Sequence, residues 1–126
     1  MSRPTEINYL ATHEWVKFID ETTAVVGITD FAQEQLGDIV FVELPEVDQE
    51  VTKGEQIAEV ESVKTVSDIY TPFTGVISKI NTELEDAPES VNEAPFENWL
   101  FEVSNITDKE ELLNLEAYNE VVEEEA

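Results

Sequence analysis

Short runs of apolar residues, punctuated by turn-forming pairs, set the rhythm of this chain. Residues 14–18 and 23–28 are rich in Val, Trp, Phe and Ile, with Asp20-Glu21 between them, a pattern that predicts a β-hairpin. Further strands are expected at residues 39–42, 56–61, 66–70, 76–80 and 99–103, with turns at 51–55 and between Pro72 and Gly75. Helical signals occur twice. Asp30-Phe31-Ala32-Gln33-Glu34-Gln35-Leu36-Gly37 suits a short helix near residues 30–36, with Asp30 as the cap, Gln33 as its reciprocal partner and Gly37 at the C′ position. Thr107-Asp108-Lys109-Glu110 fits a capping box and predicts a C-terminal helical segment over 107–122, with Leu112, Leu115, Tyr118 and Val122 on one face and Asn114 dividing it. Residues 123–126 read as a disordered, solvated tail, and 81–95 as a long polar loop. Many short strands and a terminal helix point to a mainly β fold, a small β-sandwich or flattened barrel, with residues 1–126 as a single domain.

Composition narrows the partners. The chain has 126 residues, 41% of them hydrophobic, enough for a packed core. Thirty acidic residues against six basic ones give a formal charge of −24. That charge disfavours nucleic acid and anionic membrane and favours basic protein surfaces. No apolar run approaches the roughly 20 residues that span a bilayer. Residues 1–6 show neither a basic amphipathic transit segment nor an apolar signal core, so the cytoplasm is the default location, or the mitochondrial matrix for a mature organellar chain.

Several chemistries are closed off. There is no cysteine, hence no disulfide or thiolate nucleophile, and any redox group must come from outside. A single histidine, His13, leaves no multi-histidine zinc site, and a Ser–His–Asp triad would rest entirely on it. The four glycines are too scattered for a phosphate loop. Carboxylate pairs abound, but in so acidic a chain their proximity carries no meaning. No catalytic residue and no metal site is expected, and an autonomous enzyme has no support.

Lys64 is different. It lies midway between two strand-like segments, so a tight reversal at Ser62-Val63-Lys64-Thr65 would raise its amine at a hairpin tip. Glu59, Glu61 and Asp68 nearby should favour the ammonium form, which suits an acceptor of acylation and a tether better than a Schiff-base nucleophile. On periodicity alone, an ordinary surface lysine in a polar turn is the simpler reading.

Motifs beyond the turn change that balance. Glu61-Ser62-Val63-Lys64 followed by Ser67-Asp68 resembles the E-S-V-K-x-x-S-D lipoylation signature of the glycine cleavage system H proteins. His13-Glu14-Trp15-Val16, Gly27-Ile28-Thr29-Asp30, Ala32-Gln33-Glu34-Gln35-Leu36-Gly37-Asp38, Val42-Glu43-Leu44-Pro45, Val91-Asn92-Glu93, Trp99-Leu100 and Ala117-Tyr118 follow in the family's order. The likeness covers roughly residues 8–122. Two departures stand out: Gln35 occupies a position where some members carry histidine, and the usual P-Y-G-E-G-W stretch is shortened to Pro95-Phe96-Glu97-Asn98-Trp99. Biotinyl domains, with Met on both sides of the lysine, and 2-oxo-acid dehydrogenase lipoyl domains, with D-K-A, fit less well.

The resemblance implies a lipoyl–biotinyl carrier (hammerhead) fold and a lipoate bound covalently through Lys64. It also implies carriage of an aminomethyl group from a pyridoxal-phosphate glycine decarboxylase to a tetrahydrofolate aminomethyltransferase, with reoxidation by dihydrolipoamide dehydrogenase. A lipoate ligase or a lipoyl/octanoyl transferase would attach the arm to a monomeric chain. The family's fold-back cleft for the loaded arm maps onto Thr12, Glu14 and Asp68, of which Glu14 and Asp68 could hold an ammonium group. For Glu14 a solvated strand carboxylate is an equal alternative. His13 reads better as a packed or capping residue, and Trp15 and Trp99 as core. A lipoyl or octanoyl relay to other complexes would use the same Lys64.

Overall fold

The computed structural model describes residues 3–125. The expected hairpin forms from β2 (Glu14–Asp20) and β3 (Thr23–Ile28), which pair antiparallel. Asp20 closes the turn, its side chain accepting from the Thr22 N–H at 2.9 Å. With β1 (Asn8–Tyr9), β5 (Glu50–Val51), β8 (Phe73–Ile80) and β9 (Phe101–Lys109) they make a six-stranded sheet ordered β1-β2-β3-β9-β8-β5. A second sheet, ordered β4-β6-β7, contains β4 (Ile39–Glu43), β6 (Gln56–Ser62) and β7 (Val66–Tyr70).

Alternation along β2 and β3 explains why both faces of the large sheet are covered. Val16, Ala24, Val26 and Ile28 pack with Val42, Val60 and Ile69 of the small sheet in one cluster. Trp15 and Val25, one residue out of phase, join Tyr9 and Tyr118 in a second cluster on the other face. Burying such side chains contributes about 1.5–3 kcal/mol each. The Tyr9 and Tyr118 rings stack at 4.7 Å between centroids and fasten α4 (Leu115–Glu125) over that second cluster.

The mainly β architecture with a short helix and a C-terminal helix is as expected, but several boundaries differ. Residues 107–109 do not open a helix. They extend β9, with Thr74 opposite Asp108 and Phe73 opposite Lys109, so cross-strand pairing overrides the capping-box signal. The helix starts at Leu115, and Asn114 is its cap rather than a break, accepting from the Ala117 N–H at 2.8 Å. Residues 123–125 are helical, not a disordered tail, because Glu125 is tied to His13; Ala126 lies outside the described residues.

At α1 (Asp30–Leu36) the cap is Thr29 rather than Asp30: its hydroxyl accepts from the Ala32 N–H. Gln33 bonds to the Asp30 carbonyl instead of acting as a reciprocal cap. Gly37 ends the helix as its C-cap with the expected positive φ, 83°, but its ψ of −155° lies outside the left-handed helical region. The polar stretch 81–95 holds two short helices, α2 (Glu83–Asp86) and α3 (Ser90–Glu93), each anchored by one buried apolar residue, Leu84 and Val91. Gly75 is inside β8 and not in a turn. A Cβ there would sit 2.5 Å from the Ser104 carbonyl oxygen, so the site demands glycine because the neighbouring strand crosses so closely.

Candidate functional site

β6 and β7 run antiparallel up to the pair Glu61 and Val66, and the chain reverses through residues 62–65. Ser62, itself buried, organises this tip. Its hydroxyl oxygen accepts from the backbone N–H of both Lys64 and Thr65 at 3.1 Å, and its own N–H donates to the Thr65 carbonyl at 2.8 Å. The Val63 N–H donates to the Asp38 carbonyl at 3.0 Å, lashing the tip to the segment after α1. Lys64 is exposed, and it takes no part in the ion pairs among the described residues, which are Arg3–Asp30, His13–Glu125 and Lys53–Asp108.

Its stem rests on Gly37. A Cβ at that position would come within 3.0 Å of Lys64 Cε, so the hydrogen of a glycine leaves the room the stem occupies. Asn92 braces the segment from below. Its amide donates at 2.9 Å to Gln33 Oε1 and to the Gly37 carbonyl, and its oxygen accepts from the Ile39 N–H at 2.9 Å. Replacement by alanine strands these groups, and Asn92→Ala is expected to destabilise the fold by about 2 kcal/mol. Urea denaturation measures this, and a loss under about 0.5 kcal/mol would show that Asn92 braces nothing.

A second group of residues gathers at the start of β2. Glu14 is only 2% exposed, and the Thr12 hydroxyl donates to its carboxylate. Burial pushes the Glu14 carboxyl up to about 7, partly opposed by the hydrogen bonds from Thr12 and from its own backbone N–H. The solvated-strand alternative is thereby excluded. Between Thr12 and Glu14, His13 has φ 74°, with its N–H on the Leu10 carbonyl and its carbonyl accepting from Thr29. That left-handed kink is a costly conformation outside glycine and is held in place by the ring: Nδ1 lies 2.8 Å from the Tyr118 hydroxyl and Nε2 3.0 Å from Glu125 Oε1. His13 is thus a packed residue, against Phe31 and Tyr118.

Thr12 lines two depressions. One, of about 290 Å³, runs past Ala32, Gln35, Leu36 and Ser67. The other, of about 380 Å³, has Glu14 in its wall together with Leu10, Tyr70 and Pro72. Thr12 lines both depressions, Glu14 only the second and Ser67 only the first. Asp68 is exposed, faces Glu59 across the β6–β7 ladder and lines neither depression. Beside that pair, Glu43 stands opposite Glu59, so a row of three carboxylates crosses the small sheet. Glu61 and Val63 are exposed near the tip. Trp15 is core, donating to the Pro95 carbonyl at 3.0 Å, while Trp99 is half-buried against the second cluster. The shortened stretch 95–99 is stabilised by Asn98, whose amide donates to the Ser90 and Ala94 carbonyls.

The parts played by Gly37, Asp38 and Asn92 beneath the lysine were not readable from spacing, since each acts across segments distant in sequence. Among the described residues no group of three or more potential ligands could hold a metal, and no helix is long and apolar enough to cross a membrane.

Two packed β-sheets with a lysine lifted on a hairpin tip define the architecture of the lipoyl–biotinyl carrier type. The family model described as Glycine cleavage H-protein matches residues 7–125. The chain is 56% identical to a glycine cleavage system H protein of Lachnoclostridium phytofermentans, covering 93% of this chain and 92% of that one. It is 51% identical to that of Staphylococcus epidermidis, covering 98% and 100%. A crystal structure of a glycine cleavage system H protein from Mycobacterium marinum superposes with a TM-score of 0.87 at 40% identity, covering 94% of this chain and 97% of that one. The chain belongs to the glycine cleavage H-protein family.

Proposed function

We propose that this chain is a non-catalytic lipoyl carrier: Lys64 holds lipoate in amide linkage and carries an aminomethyl group from glycine decarboxylase to the tetrahydrofolate aminomethyltransferase, with dihydrolipoamide dehydrogenase closing the cycle. The observation that carries this reading is the placement of Lys64. Lys64 is exposed at the hairpin tip and, among the described residues, takes part in no ion pair, which leaves it open to a ligase or lipoyl/octanoyl transferase. When attached, the group supplies a dithiol–disulfide pair on a flexible tether, chemistry that a cysteine-free chain lacks.

The residues present fit such an arm. Gly37 leaves space for the lysine stem to lie against the surface, and a separate depression is lined by Gln35, Ser67 and Thr12. Beyond Thr12, the Glu14 carboxylate offers a buried counter-charge to an ammonium group, and Leu10, Tyr70 and Pro72 exclude water around it. Thr12 keeps that carboxylate oriented by its hydrogen bond. The exposed acidic surface suits basic faces on the cytoplasmic partner enzymes, each visited in turn by a monomeric carrier.

Reconstitution with the three partner enzymes tests the reading. Fully lipoylated protein should support transfer of the glycine carbon to tetrahydrofolate. Absence of turnover would instead assign Lys64 to a relay that hands lipoyl or octanoyl groups to other complexes.

A further inference from the structure

Seven large apolar side chains stand exposed among the described residues, and four of them, Val40, Phe41, Val63 and Val66, lie at the Lys64 end of the small sheet. A bulge in β4 is part of the cause. Ile39 faces Ser62 and Phe41 faces Glu61, so Val40 is an extra residue without a partner on β6. Val40 and Phe41 are both 49% exposed, although alternation in a regular strand would turn one of two neighbours inward. Glu61 stands in register between Phe41 and Val66, which puts these three on the outer face. The Val63 N–H on the Asp38 carbonyl draws the tip to the same margin. Two residues farther from the tip, about 7 Å along the strands, the row of Glu43, Glu59 and Asp68 crosses that face. Apolar surface left in water adds nothing to the stability of the fold, and the bulge that exposes it interrupts the ladder, so the use of this patch lies in a partner.

We propose that Val40 and Phe41 are the foothold of the enzyme that acylates Lys64, a lipoate ligase whose surface beside the lysine entrance is an apolar hollow edged by lysine and arginine. The inference rests on the carrier reading and adds to it the residues by which that enzyme holds the chain. An enzyme that reaches Lys64 necessarily covers the residues around the tip, and Phe41 is the largest apolar side chain exposed there. A half-exposed aromatic ring at the centre of a contact is the usual source of affinity between proteins. Beyond it, the carboxylate row is complementary to a basic edge. Lysine, apolar patch and carboxylate row follow one another along the strands, so a face with the matching order seats the carrier in one direction only. Neither Val40 nor Phe41 touches the reacting amine in this arrangement, so the foothold acts on binding and leaves the acylation step alone.

The experiment follows lipoylation of the full chain by a lipoate ligase with lipoate and ATP, read by intact mass over a range of carrier concentrations. Paired Val40→Thr and Phe41→Thr substitutions, at exposed positions and to a residue at home in strands, should raise the KM for the carrier by about tenfold or more with kcat unchanged. Phe41→Leu alone keeps the apolar surface and should stay near the KM of the unaltered chain. Ile19→Thr, which removes an exposed apolar side chain from the large sheet, should do the same. Equal urea midpoints separate lost docking from lost folding. Paired Glu43→Gln and Asp68→Gln substitutions, both exposed, give a second measure: the rise of KM with added salt should flatten. An unchanged KM in the paired threonine variant, a fall in kcat in its place, or an equal effect from Ile19→Thr would overturn the foothold while the carrier reading stands. A change from dimer to monomer in that variant, with KM unaltered, would give the patch to a second copy of the chain. No lipoylation of the unaltered chain would remove the carrier reading and the foothold with it.

Discussion

Lys64→Arg protein is expected to gain no mass when incubated with lipoate, ATP and a lipoate ligase, whereas the unaltered chain gains one lipoyl group. The effect is complete rather than partial. A guanidinium stays protonated and offers no free amine for acylation, while its charge and length leave the exposed tip otherwise intact. The turn itself is held by the Ser62 hydroxyl and by the Val63 bond to Asp38, neither of which involves the lysine side chain. Intact mass spectrometry decides the matter in one measurement, and the same variant should support no glycine-carbon transfer above background. Modification of Lys64→Arg, or failure of the unaltered chain to be modified, would remove the basis of the carrier reading.

The second large effect concerns pH and Glu14. The folded chain holds this carboxyl at about 7 against an ordinary 4.5, because burial penalises the charged form. Near pH 4 both folded and unfolded chains are protonated there, and the stability associated with the raised value is fully present. Between about 4.5 and 7 the unfolded chain ionises first, and that stability is lost as pH rises through the folded value. Above it the deficit is constant, at about 3 kcal/mol for a shift of this size. Glu14→Gln should therefore match the unaltered chain near pH 4 and exceed its stability by up to about 3 kcal/mol at pH 8. Urea midpoints of the two proteins, compared at each pH, cancel the background from the other acidic residues. Parallel pH profiles would show that Glu14 is not buried as an acid. On the proposed carrier reading, protection of a loaded arm should move the opposite way, since the glutamine cannot hold an ammonium group by charge, the familiar conflict between stability and function at a site.

The strands that carry Lys64 were legible in the sequence because they obey local rules. β6 and β7 are short apolar runs on either side of a polar turn, and the hairpin of β2 and β3 is marked by Asp20. The misreadings occur where a long-range partner outbids a local signal. Thr107 and Glu110 have the spacing of a capping box, yet residues 107–109 find a strand to pair with in β8. Gly75 looked like a turn residue, whereas it is a crossing point between strands, a requirement that appears only once Ser104 is beside it. Glu125 lay in what read as a tail, and its hold on His13 spans almost the whole chain. At the site, Lys64 stood out by its turn and by family resemblance together. The surroundings of Glu14 could not be inferred from β2 alone, because residues 70–72, 110, 111 and 113, distant in sequence, line the same depression.

The row formed by Glu43, Glu59 and Asp68 has a bearing on how copies of the molecule behave toward one another. β4 and β7 are the terminal strands of the small sheet, and Phe41 and Val66 expose apolar surface along them. Margins of this kind invite the strands of another copy to add on. A second sheet drawing alongside would set carboxylate against carboxylate at each margin, an arrangement that opposes pairing. The charge along these margins is in this way a guard against self-assembly.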